Sequence, residues 1–210
     1  MNKLIFLTIG ILMALNLPGF SQELKIVTID SPLHEVLKQK TELIQENELP
    51  LAQEIAAQLF KTLQPHLPAA GLAAPQIGIS KAVFIYSYDR NPEHLEVVIN
   101  PSFEPIGDEI VEGWEACFSV ILSEKDWKVA KVPRYAKIRA IYLNQNGEKV
   151  EKILDGFGAK VFQHEYDHLD GIENIEREDA IVKAFTSREE LFEFMQAVKK
   201  EDANRYNAPK

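Results

Sequence analysis

The chain has 210 residues, 46% hydrophobic and 26% charged, a length and balance that suit one globular domain and exclude a disordered, collagenous or coiled-coil protein. Lysine and arginine number 23 against 32 aspartates and glutamates, a formal charge of −9, so the chain carries no basic footprint for nucleic acid. Cys117 is the single cysteine, which excludes an internal disulfide and leaves the thiol either as buried filler or as a chemical group.

Residues 1–21 stand apart from the rest. Lys3 precedes an apolar run from Leu4 to Leu17 that only Thr8, Gly10 and Asn16 interrupt, and Pro18, Gly19 and Ser21 follow. That order is the pattern of a secretory signal peptide cleaved near Ser21. The run is shorter than the ~20 residues a membrane-spanning helix needs. The expectation is export, periplasmic or secreted, with no stable membrane span after cleavage; a cytoplasmic or membrane-anchored chain is the alternative. The folded domain then occupies 22–210.

Leu51, Ile55, Leu59 and Leu63, with Ala52 and Ala56 beside them, keep helical spacing and predict an amphipathic helix over 49–63, ended by Pro65 and Pro68. Segments 82–88 and 95–100 are rich in β-branched and aromatic residues and are bounded by Asn91-Pro92 and Pro101, so they read as strands. Segments 137–143 and 148–154 flank Asn144-Gln145-Asn146-Gly147, a hairpin signal. A helix is predicted over 156–170, with Asp155 as N-cap and Gly171 just past its end, so that Phe157, Val161, His164 and His168 share one stripe. A C-terminal helix follows a capping box at Ser187 and Glu190, burying Leu191, Met195 and Val198. Strands joined by short turns before a central helix predict an α+β fold with antiparallel sheets.

The chemistry concentrates in that central helix. His164-Glu165-Tyr166-Asp167-His168 is an H-E-x-x-H sequence. Two histidines four apart project from one face of a helix and reach one metal ion, while the adjacent glutamate can act on a water there. A catalytic site of this kind needs a third protein ligand. Glu173, Glu176 and Glu178 lie downstream and Cys117 upstream; spacing alone does not choose between them.

Gly71-Leu72-Ala73-Ala74-Pro75-Gln76-Ile77-Gly78, Glu115-Ala116-Cys117-Phe118-Ser119-Val120 and His164 to Gly171 resemble, in order, the three motifs of the peptide deformylase family. Asn100-Pro101 and Val132-Pro133-Arg134 are also similar to it, and the resemblance spans about residues 26–200. It implies that Cys117, His164 and His168 hold one divalent metal ion, Fe2+ or else Zn2+, with a water in the fourth position and Glu165 as general base. The side-chain amide of Gln76 and the backbone N–H of Phe118 would stabilise the oxyanion, and Gly71 would let backbone come close to the substrate. The implied reaction is hydrolysis of the N-formyl group of peptides beginning with formylmethionine, releasing formate, by a monomer. An amidase or peptidase of the same fold with another acyl-peptide substrate, and a non-catalytic metal- or peptide-binding module, are the alternatives.

Other residues have readings of their own. Asp167 is expected on the helix surface or orienting a histidine, and Glu115 is expected by resemblance to pair with Arg134. His34, His66 and His94 fall outside every motif and read as solvated. The chain departs from the family at Ala69 and Ala116, where the family usually has glycine, in the long 118–133 segment with Trp127, and at Lys160, near the expected methionine pocket, whose charged head is expected to reach outward to solvent.

Overall fold

The computed structural model describes residues 24–124 and 127–206, so the expected signal segment at 1–21 lies outside the described residues. The strands are β1 (Gly71–Ala73), β2 (Val83–Ser87), β3 (Leu95–Pro105), β4 (Ile110–Glu115), β5 (Trp127–Tyr135), β6 (Lys137–Leu143), β7 (Lys149–Asp155) and β8 (Ile181–Phe185). They form a five-stranded sheet in the order β1-β2-β3-β6-β7 and a three-stranded sheet in the order β4-β5-β8. Every pairing within the two sheets is antiparallel, as the sequence predicts. The helices are α1 (Leu49–Leu63), the single turn α2 (Phe118–Ile121), α3 (Gly156–Leu169) and α4 (Arg188–Tyr206).

The larger sheet is covered on both faces, which explains why β2 is buried along its whole length rather than alternating. Val83 and Ile85 point to α1, where Ile55, Leu59 and Leu63 complete one core. Phe84 and Tyr86 point the other way and meet Ala159, Val161 and Phe162 of α3. Phe162 sits at the centre of that second core, edge-on to Phe84 at 5.2 Å and to Tyr86 at 5.5 Å between ring centroids. Such T-shaped pairs add to what area burial alone contributes. α3 is thereby held on the sheet by its apolar face while its histidines face the smaller sheet.

The sequence reading places α1 at its observed bounds and ends β3 too early. β3 runs on past Pro101 to Pro105, because its register shifts between Ile99 and Ser102 and the proline falls at that bulge, where no ladder hydrogen bond is needed from it. Asn100 takes a positive φ of 50° there, and its side chain bonds both backbone groups of Ile44, accepting at 2.9 Å and donating at 2.7 Å. Asp155 is the N-cap of α3, yet its side chain makes no capping hydrogen bond. At α4, the Glu190 N–H donates to Ser187 Oγ at 3.2 Å, and the Glu190 carboxylate accepts from the Thr186 N–H and hydroxyl. Leu191 and Val198 are buried as expected and Met195 is half-buried.

Gly171 ends α3 with φ 75°, and a Cβ there would stand 2.7 Å from the backbone of Lys38. Both the torsion and the space require glycine. Phe162→Ala is expected to lower stability by about 3–5 kcal/mol, since it empties the shared face of α3 and β2; urea unfolding followed by circular dichroism measures this.

Candidate metal centre and active site

Two parts of the chain deliver the donor atoms. Two residues past Glu115, the last of β4, Cys117 forms the N-cap of α2 and is 1% exposed. His164 and His168 lie one turn apart on α3. The ligand atoms of Cys117, His164 and His168 all lie within 4.8 Å of one another, and Cys117 Sγ is 3.3 Å from His168 Nε2. Glu173, one of the downstream acids considered as a ligand, does not join that cluster: its Oε1 faces His168 Nδ1 at 3.4 Å and its Oε2 lies 3.5 Å from the sulfur. On the other histidine, Nδ1 pairs with Glu115 Oε2 at 2.8 Å. Each ring thus turns Nδ1 to a carboxylate, which leaves Nε2 for a cation.

The donor set fits a divalent metal. An ion about 2.3 Å from sulfur and about 2.0–2.1 Å from nitrogen in tetrahedral geometry needs those two donors roughly 3.5–3.6 Å apart, a few tenths of an ångström beyond the 3.3 Å between Cys117 and His168. The surroundings also stabilise positive charge. Burial alone would lower the pKa of His164, yet Cys117 and Glu115 outweigh it and push it up to about 10. Burial is likewise overcome at His168 by Cys117 and Glu173, which hold its pKa well above the usual imidazole range. A pocket that favours two imidazolium charges is one in which a dication is at home.

Beneath the donors lies a buried ionic network. Arg134, 4% exposed, donates from Nε and Nη2 to the two oxygens of Glu115, both at 2.9 Å. Its Nη1 donates to Asp167 Oδ2 at 2.6 Å. The expected Glu115–Arg134 pair is therefore present, and Asp167 orients the arginine rather than a histidine. Burial works against the Glu115 charge, but Arg134 and His164 hold its carboxyl well below the usual carboxylate range.

The remaining site residues line one cavity of about 290 Å³. Ala73 N–H donates to Gln76 Oε1 at 2.9 Å, which obliges the amide nitrogen to face Cys117 Sγ at 3.4 Å and Ser119 Oγ at 3.2 Å. Phe118 is the first residue of α2, a position whose N–H has no intrahelical acceptor. Glu165 is 4% exposed, its Oε2 has no hydrogen-bond partner among the described residues, and burial raises its pKa above the usual value. A Cβ on Gly71 would stand 2.5 Å from Glu165 Oε1, so glycine here makes room for the carboxylate itself.

Two residues differ from their sequence reading. His66 lines the cavity and its ring lies 5.1 Å from that of Phe118, whereas the sequence offered no motif to place it there. Lys160 does not reach outward: it is 7% exposed, lines the cavity, and donates to the Trp114 carbonyl at 2.8 Å. Trp127 donates to the Ser123 carbonyl at 3.2 Å and is not among the cavity residues. Of the two positions that replace a glycine, Ala69 packs into the α1 core and Ala116 lines the cavity.

A cysteine and two helical histidines beside a buried carboxylate with one oxygen unmatched, in a cleft, make the layout of a metal-dependent hydrolase. The sequence model of the family described as polypeptide deformylase matches residues 23–184. Peptide deformylase 2 of Ralstonia nicotianae is 38% identical over 136 residues, covering 61% of this chain and 73% of that protein. Peptide deformylase 1 of Prochlorococcus marinus is 41% identical over 130 residues, covering 57% and 65%. The crystal structure of peptide deformylase from Thermotoga maritima superposes with a TM-score of 0.62 at 31% identity, over 74% of this chain and 97% of that one. A class I type b peptide deformylase from Acinetobacter baumannii with Met-Ala-Ser bound gives 0.64 at 31% identity, over 75% and 100%. The chain belongs to the polypeptide deformylase family.

Gly71→Ala is expected to displace the Glu165 carboxylate and to slow hydrolysis by about 100-fold while the far-ultraviolet circular dichroism stays that of the parent. Steady-state kinetics on a formylated peptide checks it.

Proposed function

We propose that this chain is a metal-dependent hydrolase that removes the N-formyl group from formylmethionyl peptides and releases formate. One observation carries the reading: in a member of this family, Cys117, His164 and His168 bring their ligand atoms within 4.8 Å of one another, beside a cavity lined by His164, Gln76 and Glu165. Relatives from Acinetobacter baumannii bound to Met-Ala-Ser and to actinonin support a peptide as the ligand of that cavity.

Cys117, His164 and His168 would hold the ion; by resemblance to the family it is Fe2+, and the same mixed sulfur and nitrogen donors accept Zn2+. Such an ion supplies Lewis acidity, polarising the formyl carbonyl and making water nucleophilic near neutral pH. Glu165 takes a proton from the attacking water and returns it to the amine nitrogen as the C–N bond breaks. Its burial suits that exchange, since a carboxylate of raised basicity is a better proton acceptor near neutral pH. Charge develops on the formyl oxygen, and the donors in place for it are the Gln76 amide, already aimed at the centre, and the Phe118 N–H. Gly71 keeps the space in which Glu165 moves its proton. Glu115 and Glu173 fix the two rings, so that no reorientation is needed during the reaction.

The segment at 1–21 supports export as part of the same proposal. A mature chain starting at Gln22 in an extracytoplasmic fraction is the expected finding, and a cytosolic chain with its first residues intact would reject it.

For the reaction, formate released from formyl-Met-Ala-Ser by anaerobically Fe2+-loaded protein is the measurement. Glu165→Ala is expected to slow it by about 100- to 10,000-fold while metal content is unchanged. Removing the metal with a chelator abolishes release, and adding Fe2+ or Zn2+ restores it. A metal-loaded protein that releases no formate rejects the reading.

A further inference from the structure

Gln76 has a buried neighbour, Ser119, to which the reaction as described gives no part. The glutamine amide is anchored at both ends: Oε1 accepts from the Ala73 N–H at 2.9 Å, and Nε2 donates to Ser119 Oγ at 3.2 Å and to Cys117 Sγ at 3.4 Å. Gln76 is 2% exposed and Ser119 is fully buried. An amide nitrogen carries two hydrogens. One is committed to Ser119, and the other lies on the side of Cys117, where the formyl oxygen is to be met.

The contact between the two side chains is built by the chain around them. Ser119 is the second residue of α2, so Cys117, the Phe118 N–H and Ser119 Oγ come from consecutive residues. Gln76 comes from the short helical turn Ala74–Ile77 after β1. The stretch from Val27 to Ile29 ties these two turns together. The Val27 N–H donates to the Gln76 carbonyl at 2.8 Å, and the Ile29 N–H donates to the Ser119 carbonyl at 2.9 Å. With both backbones fastened to one stretch, the fold itself brings the hydroxyl to the amide.

A glutamine side chain loses much rotamer freedom on ordering, and its amide turns about a broad terminal torsion. A donor that is fixed before charge develops needs no reorganisation at that moment. Ala73 pins the amide oxygen but leaves the group free to swing about that point. The Ser119 hydroxyl is a second anchor, and two anchors fix the plane.

Accepting the deformylase reading, we infer that Ser119 is a positioning residue: its hydroxyl takes one amide hydrogen of Gln76, so that the other is presented to the oxygen on which charge develops. The test is a double-mutant cycle on the metal-loaded full chain, reading kcat, KM and metal content with formyl-Met-Ala-Ser. Ser119→Ala is expected to lower kcat by about tenfold, the weight of one hydrogen bond, with KM and metal content those of the parent. Gln76→Ala is expected to lower kcat by about 100-fold or more. The chain with both changes is expected to be no slower than Gln76→Ala alone, because Ser119 then has no amide to hold. The same tenfold loss in both backgrounds, or a Ser119→Ala chain as fast as the parent, overturns the inference and leaves Ser119 as packing for α2. A further measurement needs no variant to fold: nuclear magnetic relaxation of the Gln76 side-chain amide in the isotope-labelled, Zn2+-loaded parent. That amide is expected to be as rigid as ordered backbone, with an order parameter of about 0.85, and a value below about 0.6 overturns the inference equally. Formate from no chain, the parent included, overturns the deformylase reading and this inference with it.

Discussion

The arrangement depends on one buried carboxylate. Glu115 accepts two hydrogen bonds from Arg134 and pairs with His164 Nδ1 at 2.8 Å, while its carbonyl accepts from Asn174 Nδ2 at 3.0 Å. Four parts of the chain meet at that residue: β4, β5 through Arg134, α3 through His164, and the segment after α3 through Asn174. A charge taken this far from water is tolerable only when every lone pair is matched. The match fixes where Cys117 sits, since it lies two residues further along, and which nitrogen of His164 faces it. The metal donors are therefore placed by the polar network under them, and the network is placed by the two sheets.

The two histidines are supported differently. His164 has a short contact to a carboxylate whose charge Arg134 secures. His168 Nδ1 faces Glu173 Oε1 at a longer 3.4 Å, an ion pair looser than the one at His164. Both arrangements orient a ring and raise its basicity, the role that carboxylates behind metal-bound imidazoles play generally. Glu165 is the contrast: it is buried beside the same cluster with one oxygen unmatched, which leaves it available for proton transfer. α3 serves both purposes because its opposite face is locked by Phe162 into the aromatic core, so the site rests on a rigid element.

Much of this was legible in the sequence, for local reasons. The bounds of α1 follow from its apolar period and the prolines after it, and the two histidines follow from helical spacing alone. Cys117 is 51 residues from His168, a contact that depends on the turn back through β5 to β7, and only resemblance of motifs singled it out. Asn100-Pro101 looked like the end of a strand; the bulge that carries β3 past it depends on Ile44, which is distant in sequence. Lys160 was misread because a lysine on an amphipathic helix ordinarily reaches water, and nothing near it in sequence announces the Trp114 carbonyl. Glu173 was seen as a possible ligand, but its place behind His168 is a matter of tertiary packing.

The central claim is that Glu115, through His164, holds the metal centre in shape. The most direct measurement is the affinity of Glu115→Gln for Zn2+ in competition with a chromophoric chelator, alongside the parent chain. The account predicts an affinity lower by about 10- to 100-fold in protein that remains folded by circular dichroism. An affinity equal to the parent's would contradict it, and would mean that Cys117, His164 and His168 are placed by the backbone alone.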